Sequence, residues 1–457
     1  MAGIGFELRK ILREDRLLSL AKVYGYSAIL SSGPWAVSIV AIVLLGFLNL
    51  ISFDPYYENF KSQVVSAYVL ILATSLIAIG IIQLPLTRYI ADLIYAKKEN
   101  EVLPTFFGSI AFVWVVSLPF IVPFFNWVFP EQTTMFVLGV ISTFLVLCAV
   151  WIASMLAASL KYYTEVVWSY FGAYSSIVAL SYFFANSLET LIFIFFLGNS
   201  FLFIILLSFI VKSYHTSIFL KIEFALAPNF HFPLVVAGFT YNLGAWIDKF
   251  IFWYHPLTGY PVIGKLHASM FYDMPIFLAY LSILPGMAIF FYRLEADFAE
   301  KYDLYYDAVR SGGTLGQIQG YRKEMINVIR HAVHEVLMVQ GIVDTILFLS
   351  APSAFDFLNI PRLYLGLLLI LTIGALLQVA FMSVLAILYY LDRKVVAMWL
   401  SVAFFVTNTI FTLISINLGS SFFGYGYTVS LLVVFIASLY TLRNEMKRLD
   451  YETFMLQ

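Results

Sequence analysis

The sequence predicts an all-α polytopic membrane protein with twelve transmembrane helices in two six-helix lobes. The composition is 62% hydrophobic and 12% charged, whereas soluble domains carry about 25% charged residues. Apolar segments near the roughly 20 residues needed to cross a bilayer recur along the chain. Short sequence matches also recur in the same order in the two halves. We therefore expect little mass outside the membrane.

A basic amphipathic segment comes first. Ile4, Leu8 and Ile11 repeat at helical spacing against Arg9 and Lys10. This pattern predicts a cytoplasmic helix over residues 1–23 that lies on an anionic membrane surface. A solvated cap before the first span is the alternative interpretation.

Twelve apolar segments follow, and each is long enough to cross the hydrocarbon core. They are Tyr24–Leu50, Val64–Leu86, Phe106–Phe129, Thr134–Ala158, Val166–Asn186, Leu188–Val211, Phe232–Tyr254, Ser269–Tyr292, Glu335–Ala354, Leu363–Leu388, Val395–Leu418 and Tyr425–Leu442. With the N-terminus inside, 22 of the 26 Lys and Arg residues are cytoplasmic, three are outside and one lies within a span. Because cytoplasmic connections carry the excess of Lys and Arg, this asymmetry supports twelve spans with both termini cytoplasmic.

The spans define the predicted domain boundaries. These are an N-lobe over residues 24–211, a cytoplasmic linker over 212–231, a C-lobe over 232–442 and a cytoplasmic tail over 443–457. The largest polar insert, residues 293–334, is predicted to be cytoplasmic and to form two amphipathic helices separated at Ser311-Gly312-Gly313.

Three matches support an internal repeat. They pair Gly33-Pro34-Trp35 with Gly244-Ala245-Trp246, Arg88-Tyr89-Ile90-Ala91-Asp92 with Arg293-Leu294-Glu295-Ala296-Asp297, and Ala153, Met155, Tyr162 and Tyr163 with Ala380, Met382, Tyr389 and Tyr390. Because six is even, both copies have one orientation and should be related by a pseudo-twofold axis along the membrane normal. Helix-breaking or polar residues at corresponding places in spans 1 and 7 point to a binding site at the repeat interface.

Asp248 and Lys249 in span 7 are the strongest candidates for a substrate or ion cavity. A charge inside hydrocarbon costs at least ~2.5–3.5 kcal/mol, so it usually faces a partner or water. Adjacent helical positions point about 100° apart, and we therefore expect the two side chains not to form a tight pair. In the functional interpretation, Asp248 contacts sugar hydroxyls, a cation or a proton. In the alternative, it pairs structurally with a neighbouring helix while Lys249 reaches towards the interface.

Weaker candidates complete the predicted cavity and a predicted cytoplasmic gate. The cavity set adds Tyr241, Asn242, Asp344 and Asp273; structural hydrogen bonding is the alternative for the two aspartates. The gate set is Arg88, Asp92, Arg293 and Asp297, with each Arg four residues before its Asp and able to pair along one helix. Ordinary helix ends that follow the positive-inside rule are the alternative. Gln83, Gln378 and Asn408 are weaker candidates for the cavity, and a helix–helix hydrogen bond is the favoured interpretation of all three.

The motifs predict neither a metal nor a cofactor. His331-Ala-Val-His334-Glu335 has the wrong order for a zinc protease motif. Gly312-Gly313-x-x-Gly316 lacks the ending of a phosphate-binding loop. The predicted outer connections are too short for the catalytic loop of a membrane ligase or polymerase, so we do not expect an enzyme.

Three stretches of the sequence are similar to the corresponding stretches of one family: Met1-Ala-Gly-Ile-Gly-Phe-Glu-Leu-Arg-Lys-Ile-Leu12, Ser31-Ser-Gly-Pro-Trp35 and Tyr272-Asp-Met-Pro-Ile-Phe-Leu-Ala-Tyr280. The chain resembles this family, PelG, over essentially its whole length. PelG proteins belong to the multidrug/oligosaccharidyl-lipid/polysaccharide (MOP) exporter superfamily. The resemblance implies a MOP flippase-like fold in the bacterial inner membrane. It also implies export of the N-acetylgalactosamine-rich Pel exopolysaccharide with the cytosolic glycosyltransferase PelF and the membrane proteins PelD and PelE. Asp248 and Lys249 are similar to an Asp-Lys/Arg signature of polysaccharide flippases.

Three alternatives to polysaccharide export stay open on the sequence. The same fold could serve a lipid-linked oligosaccharide flippase or a cation/drug antiporter. The third alternative is a non-transporting scaffold of the synthase, with the insert over residues 293–334 as a docking surface for a transferase.

Overall fold

The computed structural model describes residues 27, 36–42, 44–45, 55–160, 162–184, 187–214, 216, 218–226, 231–357 and 361–455. The predicted helix over residues 1–23 and most of the first predicted span lie outside these residues. The chain forms two compact units, the first over Pro34–Met270 and the second over Phe271–Gln457 together with Met1–Gly33.

The described part of the first unit contains six long helices and a small hairpin, besides helical residues 36–42 near its start. The helices are α1 (Pro55–Tyr95), α2 (Val102–Val128), α3 (Thr134–Ser159), α4 (Tyr163–Phe184), α5 (Leu188–Ser213) and α6 (Phe232–Tyr254). Thr133 and Ser187 cap α3 and α5, because each hydroxyl accepts a hydrogen bond from a backbone N–H of the first turn. The antiparallel strands β1 (Tyr260–Ile263) and β2 (Leu266–Ala268) follow α6. This hairpin is a small departure from the predicted all-α architecture.

Helices α3 and α5 pack closely in the core of the first unit. Gly139 of α3 faces Ile192 of α5, and Gly198 of α5 faces Ile177 of α4. A Cβ atom at Gly198 would lie 2.2 Å from Ile177 Cγ1. Since hydrocarbon gives helices no hydrophobic reason to associate in a bilayer, such small residues promote association by allowing close approach.

The linker between the predicted lobes is tied to the start of α2. Lys221 N donates to Pro104 O at 3.0 Å, and Lys221 Nζ lies 2.7 Å from Glu101 Oε2 and 3.1 Å from Glu223 Oε2. The hydrogen bond to Glu101 raises the pKa of Lys221. A Cβ atom at Gly108 would lie 1.9 Å from Lys221 O, so the backbones approach here as only glycine permits.

The described residues from Met270 onward form seven α-helices. They are α7 (Met270–Ser282), α8 (Leu284–Tyr292), α9 (Ala299–Arg310), α10 (Leu315–Phe357), α11 (Leu365–Tyr390), α12 (Lys394–Asn417) and α13 (Tyr425–Met455), and a π-helical turn at Arg293–Phe298 joins α8 to α9. The insert breaks as predicted, because α9 ends at Arg310 and Gly312 adopts a φ of 73°. The second helix of the insert is continuous with the ninth predicted span within α10.

A helical platform forms from α9, residues 315–334 of α10 and residues 443–455 of α13. Arg322 Nη1 lies 2.8 Å from Asp450 Oδ2, and the Tyr305 hydroxyl donates to Asp450 Oδ1 at 3.1 Å. Arg393, at the start of α12, lies 3.0 Å from Glu445 Oε2. These contacts join α9, α10, α12 and α13, so the insert and the predicted tail are parts of one packed body.

Among the residues that the structure describes, ten helices are long and apolar enough to cross a membrane. They coincide with ten of the twelve predicted spans. Helix α6 has the predicted bounds of span 7, Phe232–Tyr254. Its polar residues exclude it from the ten helices that are apolar enough to cross a membrane. The chain is therefore a multi-pass membrane protein, and the count of twelve remains a prediction.

Candidate functional site

Asp248 and Lys249 lie fully within the protein interior, with 0% and 1% of their side-chain surface exposed. Lys249 Nζ lies 3.1 Å from Asp248 Oδ2 and donates to Ala245 O at 2.8 Å. The Trp246 ring centroid is 6.0 Å from the same ammonium group. A buried charge needs an opposite charge and hydrogen bonds to offset its desolvation. The Asp248 carboxylate, the carbonyl of Ala245 and the Trp246 ring together stabilise the buried ammonium group in this way.

The predicted separation of Asp248 and Lys249 is wrong. Adjacent Cα–Cβ directions diverge, but the lysine has four methylenes and folds back along its own helix. Its ammonium group therefore reaches both carboxylate oxygens and the carbonyl of Ala245, one turn earlier. The interpretation that Lys249 reaches towards the interface is also excluded by its burial.

Helix α6 is held against α1 by two glycines. A Cβ atom at Gly238 would lie 2.1 Å from Gly80 O, and one at Gly80 would lie 2.7 Å from both Gly238 O and Asn242 Nδ2. Asn242 donates to Gly238 O at 2.9 Å. Asn242 and Tyr241 are half-buried on the stretch between this contact and Asp248. The glycine contact thus sets the position of the polar stretch of α6 against α1.

The second unit has a polar cluster of its own where one predicted span is interrupted. Helix α7 ends at Ser282 and α8 begins at Leu284, with Pro285 in its first turn. Gln340 of α10 bridges this break, because its Nε2 donates to Ser282 O at 2.9 Å and its Oε1 accepts from Gly286 N at 3.2 Å. Interrupted helices inside membranes need such partners for their freed backbone groups, and they often mark binding sites.

Asp344 completes this cluster. Its Oδ1 accepts from Gln340 Nε2 at 2.7 Å. Its Oδ2 is buried and has no hydrogen-bond partner among the residues that the structure describes. The unsatisfied oxygen leaves the carboxylate able to bind a proton, a cation or a hydroxyl. Asp273 lies half-buried in the first turn of α7.

Both Arg-x-x-x-Asp boxes form the ion pairs that their spacing predicts. Arg88 Nε lies 3.3 Å from Asp92 Oδ1, and Arg293 pairs with Asp297. Arg293 Nε also donates to Glu335 Oε2 at 2.5 Å, which connects the π-helical turn to α10. The gate role of these residues remains a prediction. Gln378 is confirmed as a helix–helix contact, since it accepts from Tyr427 at 2.5 Å.

Sequence reasoning missed Glu295. This carboxylate is 6% exposed; Tyr390 donates to its Oε1 at 3.0 Å, and its Oε2 has no hydrogen-bond partner among the described residues. The predicted repeat could have drawn attention to it, because Glu295 aligns there with Ile90 of the first box, which is buried and apolar.

A family model described as "PelG: Putative exopolysaccharide Exporter (EPS-E)" matches residues 1–454. The chain belongs to the PelG family. The resemblance noted in the sequence is therefore confirmed, and membership assigns the chain to transmembrane exopolysaccharide export. No curated protein matches the chain.

Solved structures show the fold of this PelG-family chain. An outward-facing multidrug resistance MATE family transporter of the MOP superfamily is 10% identical, with a TM-score of 0.67 over 94% of this chain and 96% of that chain. A MOP superfamily transporter from Pyrococcus furiosus is 11% identical, with a TM-score of 0.65 over 94% and 96%. A MATE structure in the bent conformation is 13% identical, with a TM-score of 0.61 over 95% and 97%. These similarities establish a MOP transporter fold, and family and fold together indicate a transporter rather than an enzyme.

Proposed function

We propose that this chain moves Pel exopolysaccharide, an N-acetylgalactosamine-rich polymer, from the cytoplasm to the periplasm through a central cavity in the bacterial inner membrane. Both termini are cytoplasmic in this proposal, and the two six-helix lobes expose the cavity to each side in turn. The observation that carries the proposal is the fully buried Asp248–Lys249 pair on a helix of membrane length. Ionisable groups at such depth are expensive, and they commonly belong to a transport pathway.

The residue types around the candidate site suit a carbohydrate. Asp248 and Asn242 in the first unit, and separately Asp344 in the cluster of the second unit, offer carboxylate and amide oxygens that accept hydrogen bonds from sugar hydroxyls. Tyr241 and Trp246 offer aromatic faces on which the C–H surface of a sugar ring can rest. Asp273 and Lys249 complete the proposed cavity, and Arg88, Asp92, Arg293 and Asp297 the proposed cytoplasmic gate. No cofactor or metal is required.

A translocation assay in proteoliposomes tests this function. We expect the purified chain to move a labelled N-acetylgalactosamine oligosaccharide across the bilayer, measured as its accessibility to a glycosidase on the far side. Repeating the assay with and without proton and sodium gradients identifies the coupling ion. Movement of a cationic dye without the oligosaccharide would favour the antiporter alternative. Movement of only a lipid-linked oligosaccharide would favour the flippase.

We also propose that the helical platform binds the cytosolic glycosyltransferase PelF, in a complex that includes PelD and PelE. The acidic residues of the platform are largely paired, as in the Lys301–Glu324 contact of 2.8 Å. Lys323 and Arg330 are instead exposed on α10. An exposed basic surface beside paired acidic residues is suited to a partner with an acidic face.

Reversing both charges, Lys323→Glu with Arg330→Glu, is expected to weaken capture of the glycosyltransferase at least tenfold while leaving the chain folded. Co-purification from detergent-solubilised membranes measures this, with Lys212→Glu as an exposed control outside the platform. Surface substitutions are preferable to deleting residues 293–334, because the deletion would remove contacts that hold α13. Unchanged capture by the double variant would refute docking at this surface.

A further inference from the structure

An apolar groove lies between α1, α2 and α6 of the first unit, apart from the Asp248–Lys249 pair. Its volume is about 760 Å³. Its walls include Ile81 from α1, Val116, Phe120 and Trp127 from α2, and Trp253 from α6. Val116, Phe120 and Trp127 are exposed on the α2 side, so this wall of the groove is open to the surroundings of the protein.

The hydroxyl groups in the walls of the groove need no polar ligand. Thr74 and Ser117 are the two hydroxyl residues of its walls apart from Tyr254. Thr74 Oγ1 donates to Leu70 O at 2.8 Å, and Ser117 Oγ donates to Val113 O at 2.6 Å. Because these hydroxyls bond to their own helices, the walls favour a hydrocarbon chain and disfavour a sugar or an ion.

The length of the groove suits such a chain. On α2 its walls extend from Phe112 to Trp127, a distance of about 22 Å at 1.5 Å per residue. The groove is therefore shorter than the roughly 30 Å hydrocarbon core of a bilayer. An acyl chain that lies along the helices can contact the groove walls over most of the length of the chain.

The hairpin β1–β2 places a cation at one end of the groove. Lys265 N donates to Val128 O at 2.7 Å, and the Tyr254 hydroxyl donates to Lys265 O at 3.2 Å. These bonds hold the exposed Lys265 with its Nζ 4.6 Å from the centroid of the Trp127 ring. Among the residues that the structure describes, no carboxylate lies within ion-pair distance of this ammonium group.

The turn of the hairpin depends on a glycine, Gly264, which precedes Lys265. Gly264 has a φ of 57°, and a Cβ atom there would lie 2.4 Å from Val128 O. Only glycine combines the left-handed conformation with so close a backbone approach. The turn therefore fixes Lys265, Trp127 and Tyr254 at one end of the groove. Aromatic rings and a lysine at the end of an apolar segment are typical of the level of lipid headgroups.

We propose that this groove binds one anionic phospholipid, with an acyl chain along α1 and α2 and the phosphate at Lys265. The apolar walls select a lipid chain, and the ammonium group, which has no carboxylate within ion-pair distance among the described residues, selects a negative headgroup. This site is separate from the transport site proposed above, and it can be tested without any transport assay.

Native mass spectrometry of the purified full-length chain tests the headgroup contact by titration with dioleoyl phosphatidylglycerol or dioleoyl phosphatidylcholine. We expect Lys265→Gln to weaken phosphatidylglycerol binding about fivefold, as for one lysine near a charged lipid surface, and to leave phosphatidylcholine binding unchanged. Lys265→Arg should bind both lipids as the parent does. Unchanged phosphatidylglycerol binding by Lys265→Gln would overturn the headgroup assignment.

A pair of adjacent substitutions tests the groove. Val116→Trp fills it, whereas Val115→Trp adds the same side chain at an exposed position outside its walls. We expect Val116→Trp to lose binding of both lipids and Val115→Trp to retain it, with equal melting temperatures of the two variants as the folding control. Equal lipid binding by the two variants would overturn the proposal. Displacement of phosphatidylglycerol by an equal concentration of a polyprenyl phosphate would also overturn it, since the occupant would then be an isoprenoid.

Discussion

Asp248→Asn is expected to abolish export of the polymer while the protein remains in the membrane. Asparagine has nearly the same shape as aspartate and keeps one oxygen that can accept a hydrogen bond from Lys249 Nζ. In the parent chain Lys249 Nζ lies 3.2 Å from Asp248 Oδ1. The substitution therefore removes the negative charge and preserves most of the packing. Secreted polymer measured by lectin binding, normalised to the amount of chain in isolated membranes, reports the result.

The burial of both charges requires a second variant. Removing one partner of a buried pair costs about 3–5 kcal/mol, because the other charge is left uncompensated, whereas replacing both with uncharged residues of similar volume is often neutral or stabilising. We expect Asp248→Asn with Lys249→Met to recover any stability that the single variant loses, measured by thermal unfolding in detergent, but not to recover export. If the double variant exports polymer as the parent does, the pair is structural and its role in transport is contradicted.

The helices themselves were largely predictable from the sequence. Helix α6 begins and ends where the hydropathy pattern indicates, at Phe232 and Tyr254. The break at Gly312 follows from local glycine content, and the Arg88–Asp92 pair follows from helical spacing. Each of these features depends on residues within a few turns of one another, where the physical rules are local.

The features that the sequence did not predict depend on side chains that are distant along the chain. Pro285 could have indicated the interruption between α7 and α8, but the partner that satisfies it, Gln340, is 54 residues away from Gly286. The burial of Glu295 depends in the same way on Tyr390, which lies in α11. The Asp248–Lys249 pair differs, because there the error was to infer contact from the Cβ direction alone for a side chain as long as lysine.

The contact between Gly80 and Gly238 explains how α6 can carry a buried ion pair at a defined position. The two glycines bring the backbones of α1 and α6 together, and close approach of this kind supplies much of the packing energy between helices in a membrane. Helix α6 also contains Asp248, which lies ten residues after Gly238. Moving the two helices apart should therefore disturb the candidate site as well as the fold.

Gly238→Ala is expected to destabilise the chain by about 1–3 kcal/mol, the usual cost of overpacking. The added Cβ atom would lie 2.1 Å from the backbone oxygen of Gly80, which cannot move without shifting α1.

Gly172→Ala on α4 is the matched control, since no atom lies within 4 Å of its added Cβ. At an open helical position alanine is favoured over glycine by about 1 kcal/mol, so the control should melt at or above the parent temperature. Thermal unfolding in detergent compares the two variants, and an equal rise in both melting temperatures would show that α1 and α6 do not depend on this contact. Because only the contact distinguishes the two substitutions, a fall confined to Gly238→Ala would identify it as the feature that fixes α6 and its ion pair.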